Sequence, residues 1–289
     1  MGCLGLEEIN VLARAKINFS IDVLRKRTDG YHDLRMIMQS LELCDDVLLR
    51  KQDKGIRLSC DRDCIPVDST NTAFKAAKLF LDDFGIKDGV KIQIKKRIPD
   101  CAGLAGGSSD AAAVLNGLNS LFNIGATKEK LCEIGVKVGA DVPFCVHAGT
   151  MLSEGIGDRL TRLKNIEGVD ILIAKPVDGI STAQVYNNLD LENIQNRPHT
   201  DGLINSLEKG RMRDFYNGLK NVLEPVAMGM VKDVVRLKDE LNKLGAIKSL
   251  MSGSGSAVFG IFEDETIAQK AFDSLSAQGV ECYLTRTWG

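Results

Sequence analysis

The sequence predicts an α+β protein of two domains, on three observations. An apolar/polar alternation near the N-terminus reads as a strand, a glycine- and serine-rich loop leads into a helical repeat, and the downstream strands and helices mix without regular βαβ alternation. The 289 residues suit about two domains, each able to bury its own core. The pattern changes past Glu154, which places the boundary near residue 160 and the domains at 1–160 and 161–289.

The first strand rests on Ala13, Ala15, Ile17, Phe19, Ile21 and Val23, which occupy alternate positions. This buries one face and leaves Lys16, Asn18, Ser20 and Asp22 on the other. A turn follows at Arg25–Gly30. Val90, Ile92 and Ile94 form a second alternating run, stopped at Ile98-Pro99 because proline cannot extend a hydrogen-bond ladder. After Gly103–Gly107, the residues Ala111, Val114, Leu115, Leu118, Leu121 and Phe122 recur with helical spacing. Ser108 or Ser109 is the expected N-cap and Gly125 the expected stop. Farther on, Ile171–Ala174 reads as a buried strand and 212–221, 229–244 and 265–278 as amphipathic helices. A Gly-Ser turn at 252–256 enters the strand Ala257–Phe262, and Cys282–Thr285 closes the sheet.

Composition narrows the function classes. There are 37 Lys+Arg against 39 Asp+Glu, a formal net charge of −2, which argues against a nucleic-acid partner. No window approaches the ~20 apolar residues of a membrane helix. The start, Met1-Gly-Cys-Leu-Gly-Leu6, has no basic region or apolar run for a signal peptide, and Leu6 stands where a myristoylation motif has Ser or Thr. Eight scattered cysteines read as reduced thiols in a cytoplasmic protein. Cys60 and Cys64 form the single close pair, without a second pair or a nearby histidine to complete a zinc set.

The segment Pro99-Asp-Cys-Ala-Gly103-Leu104-Ala105-Gly106-Gly107-Ser108-Ser109-Asp110 carries the chemistry. Glycines let backbone N–H groups turn toward a ligand, and a helix start offers unpaired donors and partial positive charge, so phosphate is the natural guest. The commonest nucleotide-binding spacings are absent, and the plain alternative is a tight turn with a capped helix. Asp110 either complements the helix dipole or assists a metal; the sequence does not choose. Lys16 reads either as a solvated lysine or as a cation kept for use. Asp141, in Gly139-Ala-Asp141-Val-Pro143, reads either as a helix cap or as a charge kept for chemistry. Ser252-Gly-Ser-Gly-Ser256 is a second flexible loop.

Together, Ala15-Lys16-Ile17-Asn18, the Pro99–Ala112 segment, Gly139–Pro143 and Ser252–Ser256 resemble the GHMP superfamily of small-molecule kinases over nearly the whole chain. Arg27-Thr-Asp29-Gly30-Tyr31-His32, Glu154-Gly155-Ile-Gly157-Asp158 and Lys175-Pro176 with Ser181-Thr182 point to the branch acting on a CDP-linked methylerythritol in non-mevalonate isoprenoid synthesis. The resemblance implies an N-terminal domain like the second domain of ribosomal protein S5, a ferredoxin-like C-terminal domain, and ATP and substrate meeting between them. It implies transfer of the γ-phosphoryl group of ATP, with Mg2+, to the 2-hydroxyl of the methylerythritol. By the same resemblance Lys16 and Asp141 are catalytic, and Pro99, Gly103, Leu104, Ala105, Gly106, Gly107, Ser108 and Ser109 bind ATP. Asn18, Tyr31, His32, Thr182 and Tyr186 bind substrate, the two tyrosines stacking on cytosine and His32 bonding its edge. The expected state is a monomer or homodimer without a protein-bound metal. Cys101 departs from the alanine or glycine, and Ala105 from the glycine, that the resemblance leads one to expect; His147 and His199 match no role and read as structural or exposed. A homoserine or mevalonate kinase would share the loop and Asp141 but has no use for Tyr31-His32.

Overall fold

Two long strands, β1 (Glu8–Lys26) and β2 (His32–Gln52), contribute residues to both of the compact units into which the chain divides. The computed structural model describes residues 6–289. Cys3, and most of the segment on which the signal-peptide and lipidation readings rest, lie outside the described residues.

The first unit comprises Met1–Ala15, Cys44–Pro99 and Ala105–Ala148. Besides its parts of β1 and β2 it holds β3 (Ile56–Cys60), α1 (Thr72–Asp83), β4 (Gly89–Lys95), α2 (Gly106–Leu121), α3 (Lys128–Gly135) and α4 (Val142–His147). β4 lies between β2, antiparallel with Val47 opposite Ile94, and β3, parallel with Leu58 opposite Ile92. Val47, Leu49, Val90 and Ile92 pack against Ala73 and Phe80 of α1 and Val114, Leu115 and Leu118 of α2 in one buried core. Each large apolar side chain so buried contributes about 1.5–3 kcal/mol. The Asn71 side chain caps α1, its Oδ1 accepting from the N–H of Ala73 at 2.8 Å.

The second unit comprises Lys16–Leu43, Asp100–Leu104 and Gly149–Gly289. It adds β5 (Thr150–Gly155), β6 (Arg159–Arg162), β7 (Asp170–Lys175), α5 (Thr182–Asn187), α6 (Thr200–Glu208), α7 (Met212–Gly218), α8 (Glu224–Met230), α9 (Lys232–Lys243), β8 (Lys248–Met251), β9 (Val258–Ile261), α10 (Glu265–Ala277) and β10 (Glu281–Trp288). β10 pairs antiparallel with β7, β7 with β9 and β9 with β8. β2 pairs with β5 and, at Leu41 opposite Thr287, with β10. Phe19 of β1 meets Phe215 edge-on, ring centres 5.5 Å apart, and Phe259 at 6.3 Å. The mixed α+β class follows from both units.

Three local readings need correction. First, the polar face of β1 is not solvated: Lys16, Asn18, Ser20 and Asp22 are all buried. Alternation reports a covered apolar face but carries no information on what covers the other. Second, α2 starts at Gly106, and its N-cap is Ala105 in the left-handed region (φ 58°) without a side-chain cap, rather than Ser108 or Ser109. Third, the helix expected over 229–244 is interrupted at Val231, whose extended backbone separates α8 from α9. Val231 and Val234 are both buried, so the helical spacing runs on through the break.

Candidate active site

In the first unit Gly107, at the start of α2, is exposed, with Gly106 and Ser108 half-buried beside it. The Ser109 N–H donates to the Ala105 carbonyl at 2.8 Å, closing the first turn. Thr72 Oγ1 donates to the Gly107 carbonyl at 2.7 Å and fixes that peptide from the side of α1. The Ser109 hydroxyl points inward, donating to the Arg14 carbonyl at 2.6 Å, so it supports the turn structurally. A Cβ on Gly139 would lie 3.6 Å from Ser108 Oγ, which puts that hydroxyl beside the turn leading to Asp141. Asp141 occupies the N-cap of α4, yet its side chain makes no capping bond. Of its two sequence readings, the cap is the one the geometry does not support. Cys101 and Ala105 both have positive φ, 52° and 58°, a region that costs a residue with a Cβ about 1–2 kcal/mol. Pro99 ends the segment arriving from β4.

Under this turn lies a buried charge network that sequence reasoning missed. Lys96 Nζ donates to Asp45 Oδ2 at 2.5 Å and to Asp110 Oδ2 at 2.8 Å, and all three side chains are at most 5% exposed. Asp45 Oδ1 also accepts from the N–H groups of Arg97 and Ile98, at 2.5 and 2.8 Å. Asp110 Oδ1 has no partner. Burial pushes the Asp110 carboxyl up to about 7, with the Asp45 charge adding to the rise and Lys96 opposing it. Burial works against the Lys96 ammonium, but Asp110 and Asp45 outweigh it and hold it above its ordinary range. Asp110 is thus tied to a buried lysine through Oδ2.

In the second unit Lys16 is buried and hydrogen-bonded rather than solvated. Its Nζ donates to Asn18 Oδ1 at 2.8 Å and to the Gly103 carbonyl at 2.9 Å. The Ser252 hydroxyl donates to the same carbonyl at 3.0 Å. A Cβ on Gly103 would lie 2.2 Å from the Ser252 carbonyl oxygen, so only glycine permits this approach. The backbone N–H of Lys16 donates to the Leu104 carbonyl at 3.1 Å. Asn221 steadies the Ser252–Ser256 loop, donating to the carbonyls of Met251 and Gly253 at 2.9 and 2.8 Å. The loop that looked weak in sequence is therefore a fitted partner of the glycine loop.

The remaining predicted residues also lie in the second unit. Arg27 and Arg25 grip Asp33, at 3.0 and 2.5 Å, and Tyr31 N–H donates to Asp29 at 3.1 Å. This braced turn presents Tyr31, a residue 58% exposed. His32 and Tyr186 face each other, ring centres 5.0 Å apart and tilted 30°. Burial, with a smaller effect of Lys26, lowers the His32 pKa, so its imidazole is neutral at pH 7 with one donor and one acceptor nitrogen. Thr182 and Ser254 share a hydrogen bond of 2.8 Å. His199 sits before α6, its ring against Gly202, and His147, of the first unit, ends α4. A cavity of roughly 750 Å³ lined by Leu189, Ile194, Val222, Lys238 and Lys248, among others, contains none of the predicted residues.

A glycine-rich helix start in one unit, and in the other a buried β1 lysine sharing the Gly103 carbonyl with Ser252, are features suited to a small-molecule kinase. Residues 71–149 match the family described as GHMP kinases N terminal domain, and residues 203–281 match GHMP kinases C terminal. The 4-diphosphocytidyl-2-C-methyl-D-erythritol kinase of Acetivibrio thermocellus is 50% identical over 285 residues, 98% of this chain and all of the relative. The enzyme of the same name from Clostridium botulinum (strain Alaska E43 / Type E3) is 46% identical over 279 residues, 96% of this chain and 100% of the relative. A crystal structure of 4-(cytidine 5'-diphospho)-2C-methyl-D-erythritol kinase superposes with a TM-score of 0.84 at 31% identity, covering 97% of this chain and 100% of that one. The chain belongs to the GHMP kinase family, on the branch of these 4-diphosphocytidyl-2-C-methyl-D-erythritol kinases. Membership implies ATP as phosphoryl donor. Among the described residues, no helix is long and apolar enough to cross a membrane.

Proposed function

We propose that this chain transfers the γ-phosphoryl group of ATP to the 2-hydroxyl of 4-diphosphocytidyl-2-C-methyl-D-erythritol, in the cytoplasm, as a monomer or homodimer. The observation that carries the substrate is the braced turn ending in exposed Tyr31, next to a neutral His32 backed by Tyr186. A base needs a stacking face and a few directed bonds, and these residues supply both. Tyr31 stacks on cytosine, Tyr186 covers the opposite side, and His32 offers one donor and one acceptor to the base edge. Thr182 and Asn18 complete the substrate contacts. Residues 1–160 are taken as the ATP-binding part and 161–289 as the substrate part.

ATP lies on the segment Pro99–Ser109, its phosphates at the N–H groups of Gly106, Gly107 and Ser108. Among the described residues no group of three or more His, Cys, Asp or Glu stands ready to hold a metal. Magnesium is assigned to the nucleotide, since this ion binds readily to substrate phosphates while keeping its waters. In the transfer step the 2-hydroxyl oxygen bonds to the γ-phosphorus, the bond to the β,γ-bridging oxygen breaks, and ADP leaves. Asp141 accepts the hydroxyl proton, and the Lys16 ammonium stabilises charge on the reacting oxygens.

Tyr31→Ala tests this reading. Losing a stacked base costs about 1–3 kcal/mol, so the KM for the CDP-linked substrate should rise about tenfold or more while the KM for ATP stays within about twofold. A kinase of homoserine or mevalonate has no base to stack. Equal changes in both constants, or none, would count against the assignment.

A further inference from the structure

We propose that Asp45, Lys96 and Asp110 are positioning residues for the phosphate loop, and that the loop takes ATP with Asp110 in its carboxylic-acid form. The inference rests on the placement of ATP at the start of α2 and goes beyond it, because no role follows from that placement for a charge network beneath the loop.

The geometry ties the two ends of the loop together. Asp45 on β2 holds the arriving segment through the N–H groups of Arg97 and Ile98. Lys96 passes that hold to Asp110, on the first turns of the departing helix α2. The ammonium also lies against the loop itself: a Cβ on Gly106 would be 3.2 Å from Lys96 Nζ. The three groups act on backbone that carries the phosphate-binding N–H donors, without being exposed to touch phosphate themselves.

Charge balance then selects the acid form. With both aspartates ionised, the buried network has a net charge of −1 directly behind a site for a polyanion. Asp45 is fully hydrogen-bonded, with three donors on its two oxygens. Asp110 has one donor on Oδ2 and none on Oδ1, so a proton on Asp110 makes the network neutral at least cost. Its carboxyl, pushed up to about 7, allows this near neutral pH. The other groups facing it do not replace that proton. Cys60, at the end of β3, has its own thiol pushed up by burial and stays neutral. Asp61 is occupied by the Lys96 N–H at 2.9 Å, and Lys75 and Lys78 on α1 are exposed to solvent.

The signs follow from linkage. ATP disfavours a second negative charge behind the loop, so binding retains the proton on Asp110. Affinity is therefore constant below about pH 7 and falls as the pH rises above it, by up to tenfold per pH unit. Protons come from solvent when ATP binds at alkaline pH and return to it on release.

The test is ATP affinity by calorimetry, with Mg2+, between pH 6.5 and 8.5, for the wild type and Asp110→Asn, the neutral isostere. The ratio of wild-type to variant Kd should rise about tenfold across this range; the ionisation of ATP itself is common to both and cancels. A ratio that stays flat overturns the proposal. Wild-type binding at pH 8 in two buffers of different ionisation enthalpy gives the same answer should the variant not fold. Net proton uptake supports the proposal, and zero uptake overturns it. Gly107→Val separates this from the underlying placement, because its branched side chain stands on the exposed loop. Loss of ATP binding in Gly107→Val with a flat Asp110→Asn ratio removes the network alone. Unchanged binding in Gly107→Val removes the loop as the ATP site, and the proposal with it.

Discussion

Asp141→Asn is expected to lower kcat by about 10²–10⁴-fold, the range for removing a positioned general base, while the Kd for ATP stays within about twofold. The substitution keeps shape and removes only the charge and the capacity to accept a proton. Rapid-quench single-turnover kinetics with equilibrium ATP binding separates the two effects. A variant within tenfold of wild-type turnover would remove Asp141 from the chemical step. A parallel collapse of ATP affinity would instead make it a nucleotide-binding residue.

Lys16→Met is expected to have the second large effect, a fall in kcat of about 10²–10³-fold, as for deletion of a group that stabilises transition-state charge. It also carries a folding cost. Asn18 Oδ1 loses its donor, and the Gly103 carbonyl retains only the Ser252 hydroxyl. An acceptor stranded in a buried site costs about 1–3 kcal/mol, so denaturant midpoints should shift downward as well. The catalytic reading requires kcat to fall further than the fraction of folded protein accounts for. If activity, corrected for folded fraction, returns to wild-type levels, Lys16 is an anchor for the glycine loop and nothing more.

How much of this was legible in the sequence depends on the range of the interaction. Local rules worked where the chain talks to itself: the alternation from Ala13 gave β1, and the helical spacing after Gly107 gave α2. They failed where distant segments decide. The polar face of β1 looked solvated because nothing in residues 16–22 says that other segments will cover it. Preferences for serine at helix starts pointed to Ser108 or Ser109, yet the cap is Ala105 in a conformation alanine seldom adopts. Asp45, Lys96 and Asp110 are 51 and 14 positions apart in their two pairings, and no periodicity links them. The site residues were legible chiefly through motif resemblance. The structure adds what holds each one: a shared carbonyl for Lys16, a braced turn for Tyr31, a facing ring for His32.

The most direct measurement is turnover of the purified chain with ATP and 4-diphosphocytidyl-2-C-methyl-D-erythritol, beside homoserine and mevalonate, with the product examined by phosphorus NMR. The account predicts ADP formation with the CDP-linked substrate alone, and a new phosphomonoester on its 2-hydroxyl. Turnover of homoserine or mevalonate without turnover of the CDP-linked compound, or phosphate on a different hydroxyl, would contradict it.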